Sequence, residues 1–257
     1  MATTHREHEI DLEEGRRCLI HVPAGGNGNT PVLCFLHGHG ESAEGSATKG
    51  WKVKLHGSPP GLAFSPVLPA WCPAKERLSQ FLVVSPQRAQ PGPWTNQDAG
   101  WVWAAVQNAA SRHGGGGRLF LTGFSYGAGG VLKFATAQNG ERWSALWLVD
   151  PSPSDAPLPA TRTRVLLHHG GYFSADAPSR DSTTNTRKAP IEDWKRRTNP
   201  AWTDVDALRS RATSAQPWWS APAADRAVRA FDNLEHAATC IAAYSDPDAY
   251  DWLLGSR

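Results

Sequence analysis

The feature with the clearest chemical meaning is a serine set between two glycines, Gly123-Phe-Ser125-Tyr-Gly127. The apolar run that opens at Leu119 precedes it, and Ala128, Gly129 and Gly130 follow. This order predicts a strand, a tight turn and a helix, the arrangement of a nucleophile elbow. Glycines two residues before and after the serine let a strained turn close against neighbouring backbone, leaving the hydroxyl exposed at the strand's end. A serine hydroxyl is a weak nucleophile near neutral pH. It needs a base, an acid to orient that base, and donors for the oxyanion that forms on the substrate.

Those donors are expected from a second glycine-broken turn. Pro31-Val-Leu-Cys-Phe-Leu-His37 is apolar until its last residue, as a strand buried on both faces should be, and it leads into Gly38-His39-Gly40-Glu41. The backbone N–H groups of His39 and Tyr126 are the expected oxyanion hole. The base should follow the serine in the chain, and only His168, His169 and His236 do so. His168 and His169 close a predicted strand, too early for a terminal base. His236 falls in Phe231-Asp-Asn-Leu-Glu-His-Ala237, expected as a loop between the last strand and a C-terminal helix. A competing zinc site of His37, His39, His168 and His169 lacks a spaced carboxylate or cysteine partner and fits no common ligand pattern.

These residues need a scaffold that brings strand ends together. Short β-rich runs alternate with helical ones, which predicts a mostly parallel sheet with helices on both faces. Eight strands are expected, at His8–Leu12, Arg17–Val22, Val32–His37, Phe81–Ser85, Leu119–Gly123, Ala145–Asp150, Arg164–His168 and Ala227–Phe231, the first two as an antiparallel start. Helices are expected at Gly100–His113, Tyr126–Asn139 and Asp246–Leu254, with Pro247 suited to the last one's first turn. Gly114–Gly117 reads as a flexible helix-to-strand turn, because Arg118-Leu119 follows where a phosphate loop requires Lys-Ser/Thr.

Residues 172–225 exceed what one crossover needs and read as a cap-like insertion between the last two strands. Within it, Trp218 and Trp219 are candidate substrate-binding rings, with plain packing of an extra subdomain as the alternative. Lys49, Lys52 and Lys54 read as a solvated basic loop.

Composition narrows the classes of function. At 257 residues the chain is expected to form one domain over 1–257. Its 26 Lys+Arg against 24 Asp+Glu leave +2, too little for a protein whose affinity rests on phosphate contacts, so nucleic acid is not an expected partner. No stretch approaches the ~18 apolar residues of a membrane helix, and Met1 to Gly15 lacks the apolar core of a signal peptide. Cys18, Cys34, Cys72 and Cys240 are scattered without a C-x-x-C pair, so reduced thiols in a cytoplasmic protein are expected.

Five stretches then fall in a familiar order: Phe35-Leu-His-Gly-His-Gly-Glu-Ser42, Leu55-His-Gly-Ser-Pro-Pro-Gly-Leu62, Phe81-Leu-Val-Val-Ser-Pro-Gln87, Leu119-Phe-Leu-Thr-Gly-Phe-Ser-Tyr-Gly127 and Ala243-Tyr-Ser-Asp-Pro-Asp-Ala-Tyr-Asp-Trp-Leu-Leu254. Together they resemble the α/β-hydrolase superfamily, in its branch of predicted peptidases and phospholipase/carboxylesterases, related to feruloyl esterases and polyhydroxybutyrate depolymerases. The resemblance implies an α/β-hydrolase fold and a serine esterase working through an acyl-enzyme on a small-molecule ester, with no cofactor or metal. Ser125 and His236 fall on the nucleophile and the base. The acid of such proteins usually sits in H-G-x-x-D after strand seven. Here Phe173 stands at that place, and Asp176, three residues later, is the expected acid, with Asp150 at the end of strand six as the alternative. Glu235 also replaces the usual glycine before the histidine. Two further readings stay open: an acyltransferase or cyclase using the same acyl-enzyme, and a non-catalytic binding protein on this fold, suggested by the displaced acid.

Overall fold

The computed structural model describes residues 6–43, 50–64, 72–137, 142–152, 157–159, 163–171, 188–197 and 201–255. Its strands are β1 (Arg6–Asp11), β2 (Arg17–Val22), β3 (Thr30–Leu36), β4 (Leu82–Gln87), β5 (Gly115–Phe124), β6 (Ala145–Val149), β7 (Arg164–Gly170), β8 (Thr203–Asp204) and β9 (Arg226–Phe231). They form one sheet in the order β1-β2-β4-β3-β5-β6-β7-β9-β8. The pairs β1/β2 and β2/β4 are antiparallel; every pair from β4 across to β8 is parallel. The sheet thus has nine strands where eight were expected. The ninth, β8, is a two-residue strand that the insertion lays along β9, too short to leave a periodic signal in the sequence.

The helices are α1 (Pro59–Phe64), α2 (Pro73–Leu78), α3 (Asp98–His113), α4 (Tyr126–Thr136), α5 (Lys188–Arg197), α6 (Val205–Arg209), α7 (His236–Tyr244) and α8 (Pro247–Leu254). They cover both faces of the sheet, and β3 shows why its sequence is continuously apolar. Val32, Cys34 and Leu36 face one core with residues of α3 and α4, while Leu33 and Phe35 face the other with residues of α7 and α8. The period-two alternation of a strand thus feeds two cores at once. Full burial of each large apolar side chain contributes about 1.5–3 kcal/mol, which fixes the strand and with it the turn that follows.

Two local expectations change. The four glycines at 114–117 are not a flexible turn. Gly114 caps α3 at φ 76°, and Gly115 to Gly117 already belong to β5. A Cβ at Gly116 would lie 1.9 Å from the Gly28 carbonyl oxygen, so close backbone approach requires the glycine. The stretch around His236 is not a loop up to the last helix, because His236 is the first residue of a separate helix, α7. Buried hydroxyls tie α7 to the sheet: Thr122 Oγ1 donates to the Trp147 carbonyl at 2.9 Å and lies 2.9 Å from Tyr244 Oη, and Tyr250 Oη donates to the Tyr244 carbonyl at 2.9 Å. No helix among the described residues is long and apolar enough to cross a membrane. Cys18, Cys34, Cys72 and Cys240 are free thiols.

Candidate active site

Strand β5 ends at Phe124 and α4 begins at Tyr126, leaving Ser125 alone at the corner with φ 58° and ψ −117°. That backbone is strained for a residue with a Cβ and persists only where neighbours over-determine it. They do so here. Ser125 N–H donates to the Val149 carbonyl at 3.0 Å, and the Ser125 carbonyl accepts from Ser152 N–H at 3.3 Å. The flanking glycines are obligatory: a Cβ at Gly127 would sit 1.9 Å from the Leu36 carbonyl oxygen, and one at Gly123 2.5 Å from the Gly127 carbonyl carbon. The corner has the strand–tight turn–helix geometry that the sequence predicts.

His236 reaches the elbow from the first position of α7, with Nε2 2.9 Å from Ser125 Oγ. The Phe124 ring lies beside the imidazole with centroids 4.3 Å apart, giving it an apolar bed. On the other side, Nδ1 is hydrogen-bonded to Asp150 Oδ2. Asp150 is fully buried and has φ 43°, a left-handed turn that ends β6. Its N–H donates to the His168 carbonyl at 2.7 Å, and its Oδ1 accepts from Gly170 N–H at 3.0 Å. With a carboxylate on Nδ1, the proton sits on Nδ1 and Nε2 is left to accept from the serine.

Of the two carboxylates that the sequence leaves open, Asp150 is the one hydrogen-bonded to His236. Asp176 lies outside the described residues, and the imidazole nitrogen it would need is held by Asp150. Pro151, which stiffens the exit of β6, does not prevent this, because the left-handed turn at Asp150 itself aims the carboxylate toward β7. Gly170 completes the arrangement. It supplies the N–H to Asp150, and a Cβ there would lie 2.2 Å from Thr239 Oγ1 and 2.7 Å from the Leu234 carbonyl oxygen, so glycine lets the His236 segment close down. The signal for it was the double glycine of His169-Gly170-Gly171.

The turn after β3 lies beside the serine. A Cβ at Gly38 would be 3.4 Å from Ser125 Cβ, and the His39 and Tyr126 rings meet edge to face at 5.3 Å. Tyr126 is the first residue of α4, so its N–H has no partner within the helix, and the positive end of the helix dipole adds to it. His37 braces the turn. Its Nε2 accepts from Arg88 N–H at 3.1 Å, Nδ1–H donates to the Gly38 carbonyl at 2.7 Å, and its own carbonyl accepts from Trp94 Nε1–H at 2.9 Å. Burial first, then the nearby Arg88 charge, hold its pKa down at about 4, so it is neutral. Behind the turn, Glu41 is buried, which sequence reasoning passed over although it ends the H-G-H-G-E run.

Other expected site residues stand elsewhere. Trp218 packs on α8, with Nε1–H donating to Asp248 Oδ2 at 3.1 Å. The Trp219 ring lies against Gly255, and its carbonyl accepts from Arg164, the first residue of β7, at 3.1 Å. That is the edge of the sheet opposite Ser125. Both tryptophans cover α8, so the packing alternative holds and the substrate-binding expectation fails. Neither His37 nor His168 points at a shared centre: His168 Nδ1 accepts from Trp147 Nε1–H at 3.3 Å.

No protein-family model and no curated protein matches the sequence. Solved structures do resemble the fold. The chain is similar over 98% of its length to a thermostable esterase, at 14% identity and a TM-score of 0.58, and it spans 62% of that esterase's length. A poly(3-hydroxybutyrate) depolymerase from Bordetella parapertussis matches 98% of the chain and 94% of its own, at 14% identity and a TM-score of 0.52. A predicted CIB-like hydrolase from Thermoplasma acidophilum matches 96% and 94%, at 11% identity and a TM-score of 0.50. With its mostly parallel sheet, the elbow between β5 and α4 and these neighbours, the chain has the α/β-hydrolase fold.

Proposed function

We propose that the protein is a serine hydrolase that cleaves carboxylic esters, with Ser125 as nucleophile, His236 as base and Asp150 as the orienting acid. One observation carries the proposal: Ser125 Oγ, on a strained elbow, lies 2.9 Å from His236 Nε2 while Asp150 holds the opposite ring nitrogen. In the first step Ser125 Oγ attacks the ester carbonyl carbon and His236 Nε2 takes its proton. The imidazolium that forms is stabilised by Asp150, whose own position is fixed by Gly170 N–H. The N–H groups of Tyr126 and His39 receive the negative charge on the former carbonyl oxygen. Collapse of that intermediate passes the proton from Nε2 to the leaving alcohol. Water, activated by the same histidine, then releases the acid and regenerates Ser125. An acid displaced beyond β7 was the ground for a non-catalytic reading; the hydrogen bond between Asp150 and His236 favours the catalytic one.

The test is covalent labelling. The wild type and Ser125→Ala are treated with a fluorophosphonate at pH 8, and p-nitrophenyl acetate turnover is followed in parallel. Labelling and turnover by the wild type alone are expected. A folded wild type that resists the reagent would overturn the proposal.

A further inference from the structure

The oxyanion turn is backed by a buried carboxyl that the hydrolytic steps above do not use. Glu41 ends the turn His39–Glu41 and is 1% exposed. Its Oε2 accepts from Gly38 N–H at 2.5 Å, and its backbone carbonyl accepts from Gln87 Nε2–H, at the end of β4, at 2.8 Å. Ala43 N–H donates to the Arg88 carbonyl at 2.8 Å, which fixes the chain just beyond. Oε1 is buried and has no hydrogen-bond partner among the described residues. On its far side Gly38 meets the nucleophile directly: the position of a Gly38 Cβ is 3.3 Å from Glu41 Oε2 and 3.4 Å from Ser125 Cβ. Glu41, Gly38 and Ser125 thus form one contact chain, and the peptide after Gly38 carries the N–H of His39.

We propose that Glu41 is a positioning residue of the oxyanion turn: its carboxyl pins Gly38 N–H and thereby aims the following peptide, whose N–H belongs to His39, at the oxyanion above Ser125. This rests on the hydrolase reading of the site. A leucine at 41 fills the space and loses the pin. A glutamine keeps an oxygen acceptor for Gly38 and never carries charge.

Charge matters because of where the group sits. A buried anion within about 7 Å of the serine opposes the negative charge that develops in the transition state, by roughly ten- to a hundredfold in rate at an effective dielectric near 20. The turn therefore works with Glu41 uncharged. Burial agrees: it pushes the carboxyl up to about 8, against the opposing pull of Gly38 N–H.

The titratable groups on the surrounding elements do not mimic this. Cys240 and Tyr244 of α7 are pushed far up by burial, and His37 is held at about 4. Burial also lowers His56, in the Gly50–Gly57 turn that packs against this one, and Lys54 of that turn is paired with Glu7 at 2.5 Å. Arg88 follows β4, and His39, Tyr126 and the Asp150–His236 pair complete the surroundings.

The experiment follows kcat, KM and the rate of fluorophosphonate labelling from pH 6 to 10 for the wild type, E41Q and E41L. The wild type should lose tenfold or more above pH 8. E41Q should stay within about threefold of wild type at pH 7 and lack the alkaline fall. E41L should lose ten- to a hundredfold in kcat at every pH, with KM moved less than threefold. An alkaline fall retained in E41Q, or wild-type kcat in a folded E41L, would overturn the proposal. If E41L does not fold, the E41Q profile alone decides. A wild type that is never labelled removes the hydrolase reading and this proposal with it, whereas labelling with identical pH profiles in wild type and E41Q removes this proposal alone.

Discussion

Replacing Asp150 by asparagine has a consequence that can be worked out atom by atom. Oδ1 accepts Gly170 N–H at 3.0 Å and Oδ2 faces His236 Nδ1. An asparagine has only one oxygen to offer. It must take the Gly170 side, because an NH2 group there would meet an N–H. The NH2 group then faces Nδ1 and donates to it, which forces the imidazole proton onto Nε2. Nε2 lies 2.9 Å from Ser125 Oγ and would then donate to the serine where it should accept. The base is present, well placed and in the wrong tautomer. The expected loss is about 10⁴-fold in kcat, or about 5 kcal/mol of transition-state stabilisation. The fold should survive, since the side-chain shape and the Gly170 hydrogen bond are kept. The assay is kcat on p-nitrophenyl acetate at pH 8, with near-UV circular dichroism to confirm packing and Asp176→Asn beside it, expected within about threefold of wild type. A folded D150N that keeps more than a tenth of wild-type kcat would refute the reasoning. So would a thousandfold loss in Asp176→Asn.

Four further outcomes are expected. Gly127→Ala drives a Cβ to within 1.9 Å of the Leu36 carbonyl oxygen; thermal melting should show a loss of about 3 kcal/mol or more, and an unchanged midpoint would mean the elbow can relax. Thr122→Val strands Tyr244 Oη and should cost about 1–3 kcal/mol in urea unfolding while leaving kcat within threefold. Asp246→Asn weakens the shared acceptor of Arg209 and Arg229, held at 2.7 and 3.0 Å, and should cost about 3 kcal/mol without touching labelling of Ser125; wild-type stability would show that Asp248 suffices for Arg209. For Glu41, folding raises the carboxyl from 4.5 to about 8, so the native chain holds the extra proton between those values and stability falls with rising pH, by up to about 1.4 kcal/mol per unit. Urea midpoints of E41Q should lack that slope, and a constant gap between the two proteins from pH 5 to 8 would contradict it.

The parts of the site legible in the sequence are those set by local backbone rules. Gly123-Phe-Ser-Tyr-Gly127 announces its own turn, because a Cβ at Gly123 collides with the backbone at the start of α4 and one at Gly127 with the backbone at the end of β3. The run at Val32–Leu36 announces burial on both faces. His236 was singled out by chain order and lies against Ser125, although its helix was not expected: Ala237, Ala238, Thr239 and Cys240 carry little amphipathic pattern. The choice between Asp176 and Asp150 stayed open because spacing from a motif says nothing about which strand end turns inward. Asp150 is selected by its φ of 43° and by Gly170 N–H, neither of which exists before the strands pair. Trp218 and Trp219 mislead for a related reason. A tryptophan that binds a ligand and one that covers a helix are the same residue in sequence, and only the position of α8 separates them.

The placement of Asp150 at the end of β6 has a mechanical logic. Phe124 and Val149 are register partners on adjacent strands, and each is followed by a left-handed residue, Ser125 at φ 58° and Asp150 at φ 43°. Two hydrogen bonds join these corners, from Ser125 N–H to the Val149 carbonyl and from Ser152 N–H to the Ser125 carbonyl. Ser125 and Asp150 are therefore set by one stretch of sheet edge, where the strain of each corner is balanced by contacts to the other. An acid on a long loop after β7 would have to be ordered separately. His236 comes from a distant part of the chain and needs only to dock between these two residues. The glycines at 170 and 171 follow from that docking: the approaching Leu234 and Asp232 carbonyl oxygens would lie 2.7 and 2.1 Å from a Cβ at those positions.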